Sequence, residues 1–223
     1  MIKFESQNLK ILYLPKSEYS PILDKMESFT QKKIDNNINK INNIINNKII
    51  NNIWLLEHTP IYTQGKNGKP EHILRRNNIP IIQTSRGGQI TYHGPGQLMV
   101  YFLLDLKSLK SKDMGPKKLI NNIENIVISL LKKYKINSYS KTDAPGIYVN
   151  EQKICSIGLR IKQGQTYHGI ALNVNMDLAP FNDINPCGYN KLTMCQISDF
   201  VPNITLDKVK ENIMPLLIKD FNI

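Results

Sequence analysis

A cysteine between a proline and a glycine is the side chain in this sequence best placed for covalent chemistry. Cys187 follows Pro186 and precedes Gly188, and such a stiff turn presents a nucleophile without a bulky neighbour. A lone cysteine can equally be a small hydrophobic residue. Cys155 and Cys195 lie among apolar residues, and we interpret both as structural. No two of these cysteines have the CxxC spacing of a zinc site.

Lys153 is the second residue with chemical potential. It begins a predicted strand that continues through Ile154 and Cys155. A lysine at a strand edge usually lies in solvent. If Lys153 instead faces inward near Cys187, its ammonium group would favour the thiolate form of the cysteine. It could then shuttle protons, provided that burial lowers its own pKa. The residues alone leave both interpretations open.

A glycine-rich stretch at residues 86–97 separates two apolar segments, residues 79–82 and 98–104. Glycines let the backbone pass close to a ligand because no Cβ stands in the way. The stretch lacks the Gly-Lys-Ser/Thr of a phosphate loop, and no helix follows it to hold a pyrophosphate. It therefore fits a neutral or acyl ligand, or an oxyanion held by backbone N–H groups. The alternative is a structural turn around a buried Arg86.

Composition sets outer limits on the function. The 223 residues suffice for one large α/β domain, and the net charge is +11. Three sources compete for that charge: a general bias toward Lys, Asn and Ile, an acidic protein partner, and nucleic acid. The sequence has no dense basic block interleaved with aromatic residues, which argues against nucleic acid.

The same reading gives an expected compartment. The sequence has no apolar run of about 18 residues, so no membrane span is expected. Its first residues do not resemble a secretory signal, and three cysteines without framework spacing favour reduced thiols. We expect a cytoplasmic protein. The four histidines are scattered, and we interpret each as a hydrogen-bonding residue rather than a metal ligand.

The elements that must position these residues follow from apolar periodicity. Strands are predicted at residues 9–14, 53–57, 81–83, 98–104, 138–140, 147–149, 153–161 and 167–174. Helices are predicted from Ser20 to about Asn46, after a cap at Asp113, and from about Leu206 with a kink or interruption near Pro215. Residues 62–68 and 86–97 are predicted loops. Hairpins mixed with helical crossovers predict one α/β (α+β) domain over residues 1–223, with a mixed β-sheet flanked by helices.

One segment departs sharply from the rest in composition. From residue 33 to residue 53 every residue except Asp35 is Lys, Ile or Asn. Ile34, Ile38 and the isoleucines that follow recur at the spacing of one helix face, so the first helix is predicted to continue into it. We expect no function in this segment.

Five segments together resemble a known family. In chain order they are WLLEHTPIYT at 54–63, RGGQITYHGPGQ at 86–97, KICSIG at 153–158, HGIALNVN at 168–175 and INPCG at 184–188. They resemble the motifs of the lipoyl(octanoyl) transferases, the lipoate–protein ligase B family. The resemblance covers most of the chain, and five specific motifs in the family's order do not arise by chance.

The resemblance implies a fold related to the biotin and lipoate ligase catalytic domain. It implies transfer of an octanoyl group from octanoyl-acyl carrier protein to a lysine of lipoyl domains, through an acyl-cysteine thioester. The acceptors would be the E2 subunits of 2-oxoacid dehydrogenases and the glycine cleavage H protein. No cofactor, metal, nucleic acid or membrane is implied.

The motifs also carry residue roles. By motif position, Cys187 is the nucleophile and Lys153 is the residue that activates it. The residues implied to line the acyl pocket are Arg86, Gly87, Gly88, Gln89, Ile90, Thr91, Tyr92, His93, Ser156, Ile157, Gly158, Gly169, Ile170 and Ala171.

Two other functions stay open. An ATP-dependent lipoate or biotin ligase on the same fold would need no Pro-Cys-Gly nucleophile, and a non-catalytic basic binding module would need no pocket. The sequence departs from the family in its Lys/Asn/Ile-rich segment and at Glu151-Gln152, where a more basic turn is common. Neither departure falls on a residue with an implied role.

Overall fold

The structure is a computed structural model, and it describes residues 1–41, 50–109, 114–190 and 192–222. Within these residues the chain forms three α-helices and eleven strands. The helices are α1 (Tyr19–Ile41), α2 (Pro116–Lys133) and α3 (Leu206–Phe221). The strands are β1 (Ile2–Glu5), β2 (Leu9–Tyr13), β3 (Asn51–Leu56), β4 (Ile61–Gln64), β5 (Ile81–Gln83), β6 (Ile90–His93), β7 (Gln97–Leu103), β8 (Tyr139–Ser140), β9 (Gly146–Val149), β10 (Gln152–Lys162) and β11 (Gln165–Asn173).

Eight of the strands form the main sheet, in the order β1-β2-β3-β7-β11-β10-β9-β8. Strands β2 and β3 run parallel, and the other neighbouring pairs run antiparallel. The parallel pair is joined through α1, because two parallel strands need a long crossover connection. The predicted mixed sheet is confirmed.

Helices cover both faces of this sheet. On one face, Ile22 and Met26 of α1 pack in a cluster with Tyr101 of β7. On the other face, Val127 of α2 and residues of α3 pack with Val100, the neighbour of Tyr101. Successive strand residues point to opposite faces, so a strand covered on both sides reads as a continuous apolar run. The predicted arrangement of a sheet flanked by helices is confirmed.

A second, three-stranded sheet with the order β5-β4-β6 was not predicted. Strand β4 overlaps residues 62–68, and strand β6 lies within residues 86–97. The prediction of loops at both places was therefore wrong in part. Both strands are only four residues long and stand next to glycine-rich turns. A four-residue strand beside glycines shows too little alternation to be predicted from the sequence. Pairing with the neighbouring strand stabilises it in the fold.

Most helix predictions are confirmed. The predicted apolar face of α2 is buried, and the predicted cap Asp113 lies outside the described residues. Helix α3 starts at a cap in which Thr205 Oγ1 accepts from Lys208 N at 3.2 Å, and it continues past the exposed Pro215 to Phe221 without interruption. None of the described helices is long and apolar enough to cross a membrane.

Helix α1 is described only as far as Ile41, so the predicted end near Asn46 falls outside the described residues. Ile34 is buried, whereas Ile38 is 48% exposed. The two isoleucines that were predicted to share a helix face are therefore not buried together. The buried face of α1 includes instead a charged residue, Lys33, which is 3% exposed.

Lys33 is expected to cost stability, and its replacement should recover it. Its Nζ donates to Asn51 Oδ1 at 2.8 Å and to Leu103 O at 3.2 Å. Burial lowers its pKa to about 7, against the opposing effect of Asp105. The folded state thus binds fewer protons than the unfolded chain between about pH 7 and the ordinary lysine pKa, so stability rises with pH across that window.

We expect Lys33→Met to raise the unfolding free energy by roughly 1–3 kcal/mol at pH 6, since the lost charge penalty outweighs two hydrogen bonds. The gain should shrink as the pH approaches 10, because Lys33 is then neutral in the folded state and begins to lose its proton in the unfolded chain as well. Urea melts at pH 6 and pH 9.5 measure this, with the exposed Lys32→Met as the matched control. An equal or larger gain at pH 9.5 would contradict the charge penalty.

Candidate active site

Cys187 lies on a short turn, Pro186–Gly188, that faces the end of the main sheet. Its φ of 56° and ψ of 16° are in the left-handed region, which is uncommon for a residue with a side chain. Gly188 follows with φ 78°, and a Cβ there would overlap the carboxamide of Gln89. The turn therefore requires glycine after the cysteine, and it leaves Cys187 partly exposed.

Lys153 approaches this cysteine from the main sheet. The hairpin between β9 and β10 turns through Asn150 and Glu151, both with positive φ, and Lys153 is the second residue of β10. The side chain is 1% exposed, and its Nζ lies 3.3 Å from Cys187 Sγ and 3.2 Å from Pro145 O. Of the two interpretations that the sequence left open, the structure has the inward-facing one.

The charge of Lys153 is set by its partner. Burial lowers the pKa of Lys153, but the negative charge of a Cys187 thiolate and contacts with Tyr148 raise it, and the net result is a pKa above the ordinary lysine value. The condition set for proton shuttling, that burial lowers this pKa, is therefore not met while the thiolate is present. The lysine is an ammonium group as long as the thiolate lies beside it.

A pocket of about 440 Å³, counted to its open mouth, adjoins Cys187. Its walls come from α1, the loop before β6, strands β6, β7, β10 and β11, and the cysteine turn. The lining residues are Tyr19, Arg86, Gly88, Gln89, Thr91, His93, Met99, Tyr101, Ser156, Ile157, Gly158, His168, Gly169, Ile170, Ala171 and Cys187.

Eleven of the fourteen residues predicted to bind the acyl group line this pocket, and Gly87, Ile90 and Tyr92 do not. Ile90 and Tyr92 alternate with Thr91 and His93 along β6, so they point to the opposite side of the strand. There they pack in a separate apolar cluster. The backbone N–H of Gly87 donates a hydrogen bond to Leu159 O at 3.3 Å. The binding role of the other eleven stays a prediction.

Four lining residues were not predicted: Tyr19, Met99, Tyr101 and His168. Met99 lies opposite Ala171 in the β7–β11 pair, and Tyr101 lies opposite Gly169. Their alternation on β7 was visible in the sequence, but the register of that pair was not. His168 has φ 60°, and its ring stacks at 4.9 Å on that of Tyr167, so both rings lie on one side of the strand. Periodicity cannot predict such a break in alternation.

Arg86 is in the pocket wall, but its guanidinium donates its hydrogen bonds to oxygen atoms of the protein itself. It donates to Thr63 O and Thr63 Oγ1, to Gly87 O at 2.9 Å and to Gln89 O at 2.7 Å. These bonds tie the glycine-rich stretch to β4. The structural alternative considered for this residue, a turn around a buried arginine, describes its contacts well.

The histidines and tyrosines in and behind the pocket wall are uncharged. Burial lowers the pKa of His58 to about 4, that of His168 to about 3, and that of His93 well below its ordinary value. Burial also raises the pKa of Tyr19 to about 12 and that of Tyr101 well above its ordinary value. Tyr19 Oη lies 3.3 Å from His168 Nδ1, and His58 Nε2 lies 2.7 Å from Tyr101 Oη. In the described part of the chain, no three His, Cys, Asp or Glu side chains form a group that could hold a metal ion.

Comparison with known proteins now adds a family. The family model for the lipoyl protein ligase A/B catalytic domain matches residues 19–217. The chain belongs to this family. Among the family's relatives, the octanoyltransferase of Coxiella burnetii (strain RSA 493 / Nine Mile phase I) is 48% identical, over 91% of this chain and 78% of that protein. The octanoyltransferase of Legionella pneumophila (strain Corby) is also 48% identical, over 92% of this chain and 95% of that protein.

Solved structures of a lipoate protein ligase and of a biotin protein ligase share the fold. The putative lipoate protein ligase of T. acidophilum with bound lipoic acid gives a TM-score of 0.71 at 15% identity, over 97% of this chain and 86% of that one. The biotin protein ligase of Aquifex aeolicus with biotin and ATP gives 0.55 at 13% identity, over 97% and 71%. The predicted family and fold are confirmed, and the predicted activity agrees with the name of the relatives.

Proposed function

We propose that this protein is an octanoyltransferase that moves an octanoyl group from octanoyl-acyl carrier protein to a lysine of a lipoyl domain, through a thioester on Cys187. The observation that carries the proposal is the 3.3 Å contact between Cys187 Sγ and Lys153 Nζ beside the pocket. A cysteine paired with a buried ammonium group is an activated nucleophile. The names of the relatives support the acyl group.

In the first half-reaction the Cys187 thiolate attacks the carbonyl carbon of the donor thioester. The new C–S bond to Cys187 forms and the C–S bond to the carrier's thiol breaks. The leaving thiolate takes a proton from Lys153. Acylation removes the negative charge that raised the pKa of Lys153 and leaves the effect of burial, so the ammonium group becomes acidic enough to give up that proton.

In the second half-reaction the neutral amine of the acceptor lysine attacks the acyl-Cys187 thioester. The amide bond forms, the C–S bond to Cys187 breaks, and the proton of the amine passes to the neutral Lys153. The thiolate and the ammonium group are both restored. Exchange between two thioesters is nearly isoenergetic and aminolysis is favourable, so ATP is not needed for either step.

The pocket suits the acyl chain better than a charged ligand. Met99, Ile170 and Ala171 give it an apolar side, and the histidines and tyrosines of its inner wall are neutral. Arg86 already uses its guanidinium for protein acceptors, so it is not a free partner for a carboxylate.

The direct test is the intact mass of the protein after incubation with octanoyl-acyl carrier protein. The proposal expects one octanoyl adduct, mapped by peptide mass to Cys187, and its disappearance when a lipoyl domain is added. An ATP-dependent ligase would instead modify the lipoyl domain from free octanoate and ATP, with no adduct on Cys187. Retention of nucleic acid at physiological salt without any transfer would favour the binding module.

The donor and acceptors are proteins, and a basic segment beside the cysteine turn offers them a docking surface. Residues 66–76 carry four basic side chains and one acidic one, Glu71. The segment is joined to the turn region by hydrogen bonds from Leu74 N to Asp183 O at 2.9 Å and from Asn185 N to His72 O at 2.8 Å. We propose acyl carrier protein as donor, and the lipoyl domains of 2-oxoacid dehydrogenase E2 subunits and the glycine cleavage H protein as acceptors. All are typically acidic.

Charge reversal at Arg76, which is exposed, tests this docking surface. We expect Arg76→Glu to lower kcat/KM for octanoyl-acyl carrier protein by about 3–10-fold at low salt, because steering of an acidic partner weakens. The small donor octanoyl-N-acetylcysteamine should react as with the unchanged protein. The matched control is Lys3→Glu on the edge strand β1. Equal losses with both donors, or none at low salt, would contradict docking at this segment.

A further inference from the structure

Gln89 is a polar residue of the pocket wall that touches the nucleophile's own turn. Its carboxamide packs directly on Gly188, the residue after Cys187, in the space that a Cβ would fill. Its Oε1 is buried and has no hydrogen-bond partner among the described residues. An unpaired buried amide oxygen costs about 1–3 kcal/mol, so such a group is normally kept for a ligand or a water.

The backbone of Gln89 is held firmly. Its carbonyl oxygen accepts from Arg86 Nη2 at 2.7 Å and from Gly65 N at 3.3 Å. The side chain therefore extends from a fixed backbone and ends against the cysteine turn, with Oε1 unpaired among the described residues. This is the arrangement that a preorganised donor needs, because no reorganisation is then required as charge develops on the substrate.

Two of the nearby backbone donors are already in use. Gly188 N donates to Asn185 O at 2.9 Å, and Gly87 N donates to Leu159 O at 3.3 Å. Oxyanion stabilisation by these backbone N–H groups, which the glycine-rich sequence suggested, would break existing bonds. The Lys153 ammonium group contacts the sulfur of Cys187 and donates a hydrogen bond to Pro145 O. A side-chain amide beside the turn meets the need for a donor without breaking any of these bonds.

We propose that the Gln89 carboxamide is a catalytic group that donates a hydrogen bond to the carbonyl oxygen of the acyl group on Cys187. In both half-reactions this oxygen carries negative charge in the tetrahedral intermediate, so the same NH₂ group stabilises the attack of the thiolate and that of the acceptor amine. The Oε1 and Nε2 positions exchange by rotation of the amide plane, so either orientation of the group in the free protein allows this contact. The inference rests on the proposed octanoyl transfer.

The test compares Gln89→Ala and Gln89→Glu with the same glutamate change at the exposed Gln7. Both Gln89 variants lack an amide donor, so kcat should fall roughly 10²–10³-fold, with KM for octanoyl-acyl carrier protein nearly unchanged. The Gln7 variant should keep its kcat. A thermal melt checks that each variant is folded. Unchanged kcat in a folded Gln89 variant, or a loss confined to KM, overturns the proposal.

A spectroscopic readout separates hydrogen bonding from structural support. The acyl-enzyme is formed with octanoyl labelled with ¹³C at its carbonyl, and the infrared C=O stretch is recorded. Loss of the hydrogen bond should move this stretch to higher frequency in both Gln89 variants, and an unshifted band overturns the proposal. If the unchanged protein forms no adduct on Cys187 at all, the proposed transfer fails first, and that outcome is distinct from a normal adduct without a Gln89 effect.

Discussion

Replacement of Cys187 by alanine is expected to abolish octanoyl transfer and the acyl adduct together. Without the thiolate the two half-reactions have no shared intermediate, and the loss of rate should be roughly 10⁴-fold or more. The partly exposed side chain contributes little to packing, so the melting temperature should change only slightly. Steady-state transfer assays and intact mass measure both effects.

Cys195→Ala is the matched control for this experiment. Cys195 is buried, and burial raises the pKa of its thiol to about 12, so it stays protonated and unreactive. The control should keep the adduct and the turnover. An adduct that survives in the Cys187 variant, or turnover that survives without one, would contradict a thioester on this residue.

Two substitutions of Lys153 are expected to stop the reaction at different points. Lys153→Met removes the ammonium group beside Cys187, so acylation itself should slow by roughly 10²–10⁴-fold, as for loss of a general acid or base. Lys153→Arg keeps a positive charge that stabilises the thiolate, but arginine does not give up a proton. The arginine variant should therefore alkylate readily at Cys187 yet fail to turn over.

The raised pKa of Lys153 makes the stability of the unchanged protein depend on pH. A base whose pKa is raised in the folded state stabilises the fold fully below its ordinary pKa, and this stabilisation is lost as the pH rises through the raised value. Iodoacetamide alkylation of Cys187 near pH 6.5 should be faster in the unchanged protein than in Lys153→Met, because the ammonium group 3.3 Å from the sulfur attracts a thiolate. Equal alkylation rates near pH 6.5, or full turnover in Lys153→Arg, would contradict the pairing.

The sequence predicted more of the fold than of the site's geometry. Strands such as β7 and the apolar face of α2 were visible because their patterns are long and regular. The strands β4 and β6 were missed because four residues beside a glycine-containing turn carry too little periodicity. The inward turn of Lys153 depends on the β9–β10 hairpin and on where the cysteine turn lies against it. Local residues do not determine that packing.

Residue types and residue contacts were predictable to different degrees. The motifs identified Cys187 and Lys153 as candidates. Residue types alone also allowed a small hydrophobic cysteine and a lysine in solvent. Met99 lines the pocket because the register of β7 against β11 places it opposite Ala171. No local sequence pattern determines that register. The free amide of Gln89 became visible only through its contact with Gly188. Long-range packing decides these points, and it is set by the whole chain.

Helix α1 extends from the wall of the pocket to an exposed part of the surface. Its first residue, Tyr19, is a wall of the pocket, while Ile38 is exposed about five turns further along the same helix. A rigid helix separates the two ends, so substitutions at the exposed end need not move Tyr19. Changes at exposed positions of the part of the Lys/Asn/Ile-rich segment that α1 carries, such as Ile38, are therefore expected to leave the reaction chamber unchanged, whereas the buried Lys33 is not such a position.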